Sequence, residues 1–175
     1  MRGEIDKALE GKGVRLRGFR SGGGLRVVRV EQAQGKGEAK LLGYGEHYDA
    51  ERALKHCAED LAAGGRPYEE VYGKKHTHYL TGSASASGPL DAWLLEGGTI
   101  DAWCVLARGS QEKEVVVELK SLDHMVVKGE MVFGEMLKTG HGRDFRAALR
   151  SAVDGPEMFV AEVAEKDGGP EFSGL

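Results

Sequence analysis

The stretch Glu114-Val115-Val116-Val117-Glu118-Leu119-Lys120 decides how this chain is read. Three consecutive valines imply a strand buried on both faces. Glu118 and Lys120 lie in its continuation, two apart and therefore on one face. Burying them costs several kcal/mol unless they are paired or bind a metal. The preceding strand, Thr99–Ala107, carries Asp101 behind Ile100, and Arg108-Gly109-Ser110-Gln111 reads as the turn between the two. If that turn centres near Gly109-Ser110, partner positions sum to about 219–220, which sets Asp101 opposite Glu118 or its neighbour. Adjacent strands are only ~5 Å apart, so two carboxylates and an ammonium converge on one patch of sheet. The plainer alternative is an edge hairpin whose Glu118 and Lys120 face water.

Such a patch has a definite chemistry. Asp101 and Glu118 are hard oxygen donors suited to Mg²⁺ or Mn²⁺. A divalent cation would remove their mutual repulsion, polarise a scissile phosphate and lower the pKa of a bound water. Lys120 would position that water or stabilise charge on the transition state.

Working outward, a short helix is expected at 3–10. Val14–Arg20 and Leu25–Val30 read as two strands joined by Ser21-Gly22-Gly23-Gly24, with a third strand near Ala39–Gly43. Asp49 can cap a helix running to about Ala63, with an apolar stripe of Ala50, Ala53, Leu54, Cys57, Ala58 and Leu61. Leu90–Leu95 reads as a strand, Lys75–Thr81 as a short segment within a mixed stretch over 64–89, and 122–142 as a glycine-broken region. Asp144 starts a helix over Phe145–Val153, and Met158–Val163 is a last strand. From residue 48 onward the order is helix, three strands, helix, strand. Leu90-Asp91-Ala92-Trp93 and Ile100-Asp101-Ala102-Trp103 are alike, but two such copies make no repeat architecture.

Ile100-Asp101, seventeen steps, then Glu118-Leu119-Lys120, within that element order, resembles the PD-(D/E)XK nuclease superfamily with its restriction-endonuclease-like fold. Ile100 stands where the family has proline. The resemblance implies an α+β (α/β) domain with a mixed central sheet. It implies Asp101, Glu118 and Lys120 as catalytic residues, and Asp101, Glu118 and the Leu119 carbonyl as ligands of Mg²⁺ or Mn²⁺. Many members add a helix carboxylate, for which Glu51, Glu59 and Glu70 are candidates. Residues 1–46 then form a basic helix-and-hairpin extension, 47–164 the nuclease-like core and 165–175 a polar tail.

Composition sets the outer bounds. The chain has 175 residues, 24 Lys+Arg against 28 Asp+Glu, and 41% hydrophobic residues, as expected of one ordinary folded domain. No apolar run reaches the ~18 residues of a membrane span, so no membrane partner is expected. Cys57 and Cys104 are too few for a disulfide framework or a thiolate metal site, which points to the cytoplasm. Charge is uneven: residues 1–40 hold ten basic and five acidic side chains, whereas the rest is strongly acidic. Arg15, Arg17, Arg26 and Arg29 on the basic hairpin are therefore candidates to contact nucleic-acid phosphates, or simply a solvated sheet face. His76-Thr77-His78 could begin a metal site but reads better as surface histidines. His141 precedes a helix N-terminus where an anion could sit. Trp103 shares the face of Asp101 and could stack on a base. Two functions follow: metal-dependent hydrolysis of DNA or RNA by a monomer or homodimer, or a non-catalytic α+β module that binds nucleic acid or a protein partner.

Overall fold

The structure is a computed structural model that describes residues 3–64, 86–106, 109 and 112–161. The elements run α1 (Glu4–Leu9), β1 (Val14–Arg20), a 3₁₀ turn (Gly22–Gly24), β2 (Arg26–Gly35), β3 (Glu38–His47) and α2 (Ala50–Ala62). After these come α3 (Pro89–Leu95), β4 (Thr99–Leu106), β5 (Lys113–Val127), β6 (Glu130–Gly142), α4 (Phe145–Asp154) and β7 (Met158–Ala161). The expected Lys75–Thr81 segment, His76, His78, Glu70 and the 165–175 tail lie outside the described residues.

The seven described strands form one sheet in the order β3-β2-β1-β4-β5-β6-β7, and every neighbouring pair is antiparallel. The chain is thus α+β, and the expected mixed sheet is corrected to an antiparallel one. Whereas β1–β4 and β6–β7 are linked through longer segments, four of the six pairs are joined by short connections, which can only make antiparallel neighbours. The tightest are two-residue turns: Lys36-Gly37 with φ of 53° and 79°, and Lys128-Gly129 with φ of 53° and 81°. Two successive positive φ values mark the type I′ geometry that matches strand twist.

Two element assignments also change. Residues 89–95 are a helix, not a strand: Pro89 presets the first turn, and Leu90 and Leu94 bury one face at helical spacing. The 122–142 region is not broken by its glycines. It is the far end of β5 and all of β6, with Gly129 in the turn and Gly140 beneath the backbone of α4.

The four described helices pack on one face of the sheet. Leu16, Val28, Val30, Ile100, Ala102, Val117 and Leu119 point into that layer against Leu9, Leu54, Cys57, Leu94 and Leu149. Residues 14–47 therefore share one sheet and one core with the described elements that follow. Among the described residues, no helix is long and apolar enough to cross a membrane.

The topology contains a repeat that the LDAW and IDAW similarity did not reveal. α1-β1-β2-β3-α2 and α3-β4-β5-β6-α4 are two copies of one unit, joined through β1 and β4 about an approximate twofold near the Leu16–Ala102 pair. The copies brace each other. Asp6 in α1 accepts from the Phe145 amide at the start of α4 (2.7 Å), and Asp91 in α3 accepts from the Ala50 amide at the start of α2 (2.9 Å). Each buried carboxylate thus satisfies a helix-terminal donor of the other unit. Asp49 and Asp144 cap the same two helices from within. At Gly45 an added Cβ would strike Ala53 O and Cys57 N, and at Gly140 it would strike Ala148 O and Ala152 N. In both units the absence of a side chain lets a helix lie directly on a strand.

Candidate functional site

Because the helices occupy one face, the other face of the sheet is uncovered by any described helix, and alternation places every second strand residue there. β1 sends Arg15 and Arg17 to it, while Val14 and Leu16 go to the core. β4 sends Thr99, Asp101 and Trp103, and β5 sends Glu114, Val116, Glu118 and Lys120. The expected register holds: Asp101 pairs with Glu118, and Thr99 with Lys120. The valine triplet is buried on both faces, as its composition requires.

Pairing of β1 with β4 adds what lay beyond the local pattern. Arg17 stands opposite Asp101, and Arg15 opposite Trp103. The Arg17 Nε lies 3.6 Å from Asp101 Oδ1, and Lys120 Nζ lies 3.4 Å from Glu118 Oε1. The Arg15 guanidinium sits 5.6 Å from the Trp103 ring centroid, within cation–π range. Burial pushes the Asp101 carboxyl above its ordinary pKa and outweighs the opposing pull of Arg17, Arg15 and Lys120; Glu118 adds to the rise. Beside Arg15 and Arg17, under the overhanging end of the β2–β3 ribbon, is a cleft of about 570 Å³ bordered by Trp103, Glu31 and ribbon glycines.

The remaining candidates separate by position. Arg29 holds Glu31 at 2.9 Å and lies 5.9 Å from the Tyr44 ring centroid, at the margin of the same face. Arg26 is corrected: it is fully buried on the helix side, with Nε 2.7 Å from Asp91 Oδ1, so it cannot meet a phosphate. Strand alternation sets Arg26 and Arg29, three residues apart, on opposite faces, and Arg26 takes the helix side where β2 begins beneath α3. His141 lies in β6, 3.2 Å from Glu114, and not at an anion-binding helix end. Glu51 is on the helix side, paired with Arg146 at 2.7 Å, and Glu59 projects from α2. The Cys57 thiol is buried and pushed up to about 12 by burial, then by Asp60, which removes it as a nucleophile. Sequence reasoning passed over Glu31, which the local β1–β2 hairpin register sets opposite Arg15, and the partnership of Arg15 with Trp103, which only the non-local β1–β4 register exposes.

The metal expected from the resemblance meets a mixed fit. The donor chemistry suits a hard cation, and the buried Asp101 Oδ1 has no hydrogen-bond donor. Against this, Arg17 and Lys120 already neutralise the two carboxylates. Leu119 lies in an interior strand, its side chain in the core and its carbonyl in the plane of the sheet. Among the described residues no group of three or more His, Cys, Asp or Glu side chains could hold a metal ion. As they stand, these residues do not form a cation site. No protein-family model, curated protein or solved structure matches the chain.

Proposed function

We propose that the open sheet face is a binding surface for single-stranded nucleic acid, and that the chain acts there as a binding module in the cytoplasm. One observation carries this reading: Arg15 over Trp103, beside Arg17 and next to a cleft of about 570 Å³. Single-strand binders combine cations that track the backbone with aromatic planes on which bases stack, and both kinds of group stand here on neighbouring rigid strands.

The test is fluorescence anisotropy with short single-stranded DNA and RNA across a salt series. Trp103→Ala should weaken binding by about 1–3 kcal/mol, the usual contribution of one stacked base. Arg15→Ala with Arg17→Ala should flatten the salt slope by roughly 0.7 per lost phosphate contact. Absence of binding at low salt, or a slope untouched by loss of both arginines, would sink the reading.

A second reading, the Mg²⁺- or Mn²⁺-dependent nuclease, is favoured by Asp101 facing Glu118 directly with Lys120 alongside. It requires that a cation with bound substrate displace Arg17 and Lys120 from the carboxylates. Cleavage that depends on added Mn²⁺ and disappears in both Asp101→Ala and Lys120→Ala would promote it over the binding module.

A further inference from the structure

The β5–β6 ribbon outruns its neighbours. β4 stops pairing at Thr99 opposite Lys120, and β7 covers β6 only from Gly134 to Leu137. Residues 121–133 therefore project as a two-stranded ribbon, a form that is at best marginally stable alone in water. Its register sets Leu122, Val126 and Met131 on one face, and β7 adds Met158 and Val160 beside Leu137 and Glu135. These five side chains are 82%, 67%, 54%, 61% and 45% exposed. Together they present on the order of 500–600 Å² of apolar surface, at the upper end of what a typical monomer leaves open.

We propose that this apolar ribbon face is the seat of a second copy of the chain, packed face to face about a twofold. The argument is one of area. With the surrounding polar rim, the patch comes close to the roughly 800 Å² per partner of a standard protein–protein interface. A twofold contact is isologous, so each copy needs only the one apolar patch that is present. The equivalent ribbon in the first unit, around Lys36, is polar and shows no such face. The patch lies on the same open sheet face as Arg15 and Trp103 but at its β5–β7 end, and the association of the chain without nucleic acid tests it apart from the nucleic-acid reading.

Sedimentation velocity on the full chain from 1 to 100 μM provides the test. Wild type should sediment as a species of twice 18.9 kDa. Leu122→Glu and Val126→Glu should each raise the dimer dissociation constant at least tenfold, while Lys40→Glu on the polar ribbon should not. Both target side chains already face water, and circular dichroism checks that the variants fold. Hydrogen–deuterium exchange at residues 121–133 should slow as wild-type concentration rises, which needs no variant. A monomer at 100 μM, its ribbon covered by another part of the chain or by a foreign partner, overturns the proposal. So does a dimer that persists in both Glu variants, or ribbon exchange that does not depend on concentration.

Discussion

The two units share a frame and differ in how they use it. Each has a short helix with a buried leucine in its last turn, three antiparallel strands, a Lys-Gly turn and an Asp-capped helix. In the first unit the bracing carboxylate, Asp6, holds only backbone amides: Gly3 at 3.0 Å and Phe145 at 2.7 Å. In the second, Asp91 holds the Ser87 and Ala50 amides and in addition the fully buried Arg26. Their open faces also diverge: Arg15 and Arg17 occupy β1 where Asp101 and Trp103 occupy β4. A twofold applied to one unit would place like charges together across the central strand pair. The divergence instead sets Arg17 against Asp101 and Arg15 against Trp103, so that no like charges meet there. What the two units retained is the hydrogen bonding their helix ends require; what changed is the surface.

The largest expected effect falls on that retained bond. Asp91→Asn should destabilise the fold by about 3–5 kcal/mol, because it leaves the Arg26 guanidinium buried without its counter-charge. Asp6→Ala strands only amide donors and should cost about 1–3 kcal/mol. Urea denaturation of the two variants against wild type measures the difference. Equal losses would mean that Arg26 adds nothing, and that the braces remain energetically alike.

Next in size are the glycines under the helices. Gly45→Ala and Gly140→Ala each push a methyl group into helix backbone that cannot move as a flexible side chain could. Each should cost about 1–3 kcal/mol or more, the usual range for overpacking. Because the surroundings match, the two losses should agree within the error of a thermal melt. A small loss at one site alone would show that one helix can lift from its strand.

Much of the fold was legible where the pattern was local. The Asp49 and Asp144 caps, the two long helices and the Asp101–Glu118 register follow from residues close together in sequence. α3 was misread because six residues, five of them apolar, do not reveal a period, although Pro89 was a usable signal for a first helical turn. The β5–β6 ribbon was hidden by Gly134, Gly140 and Gly142, which mark close approaches of other backbone and not breaks. The pairing of β1 with β4 was not legible at all, since strands about eighty-five residues apart carry no local mark of their partnership. That one non-local register is why the candidate acids were anticipated, while the arginine against Asp101 and the tryptophan under Arg15 were not. The repeat escaped for a similar reason. The amino acids the two units still share are few, chiefly Asp6 with Asp91, Asp49 with Asp144, and the Lys-Gly-Glu turns.

The smallest effect is also the finest probe of how the units diverged. Asp101 carries a carboxylate at a half-buried position where the first unit places the exposed Arg15. Its folded pKa is raised, chiefly by burial, so between the ordinary Asp value near 3.9 and the raised value the folded chain binds more proton than the unfolded one. Its contribution to stability is therefore present in full at acid pH and is lost as pH rises through the folded pKa. Asp101→Asn removes the charge and keeps the shape, so the variant should melt above wild type at pH 7–8. The gap should close as pH falls toward the ordinary Asp range. A variant that melts lower at pH 8 would show that attraction from Arg17 outweighs desolvation, and the Arg17–Asp101 pair would then hold the two halves together instead of merely offsetting a buried charge.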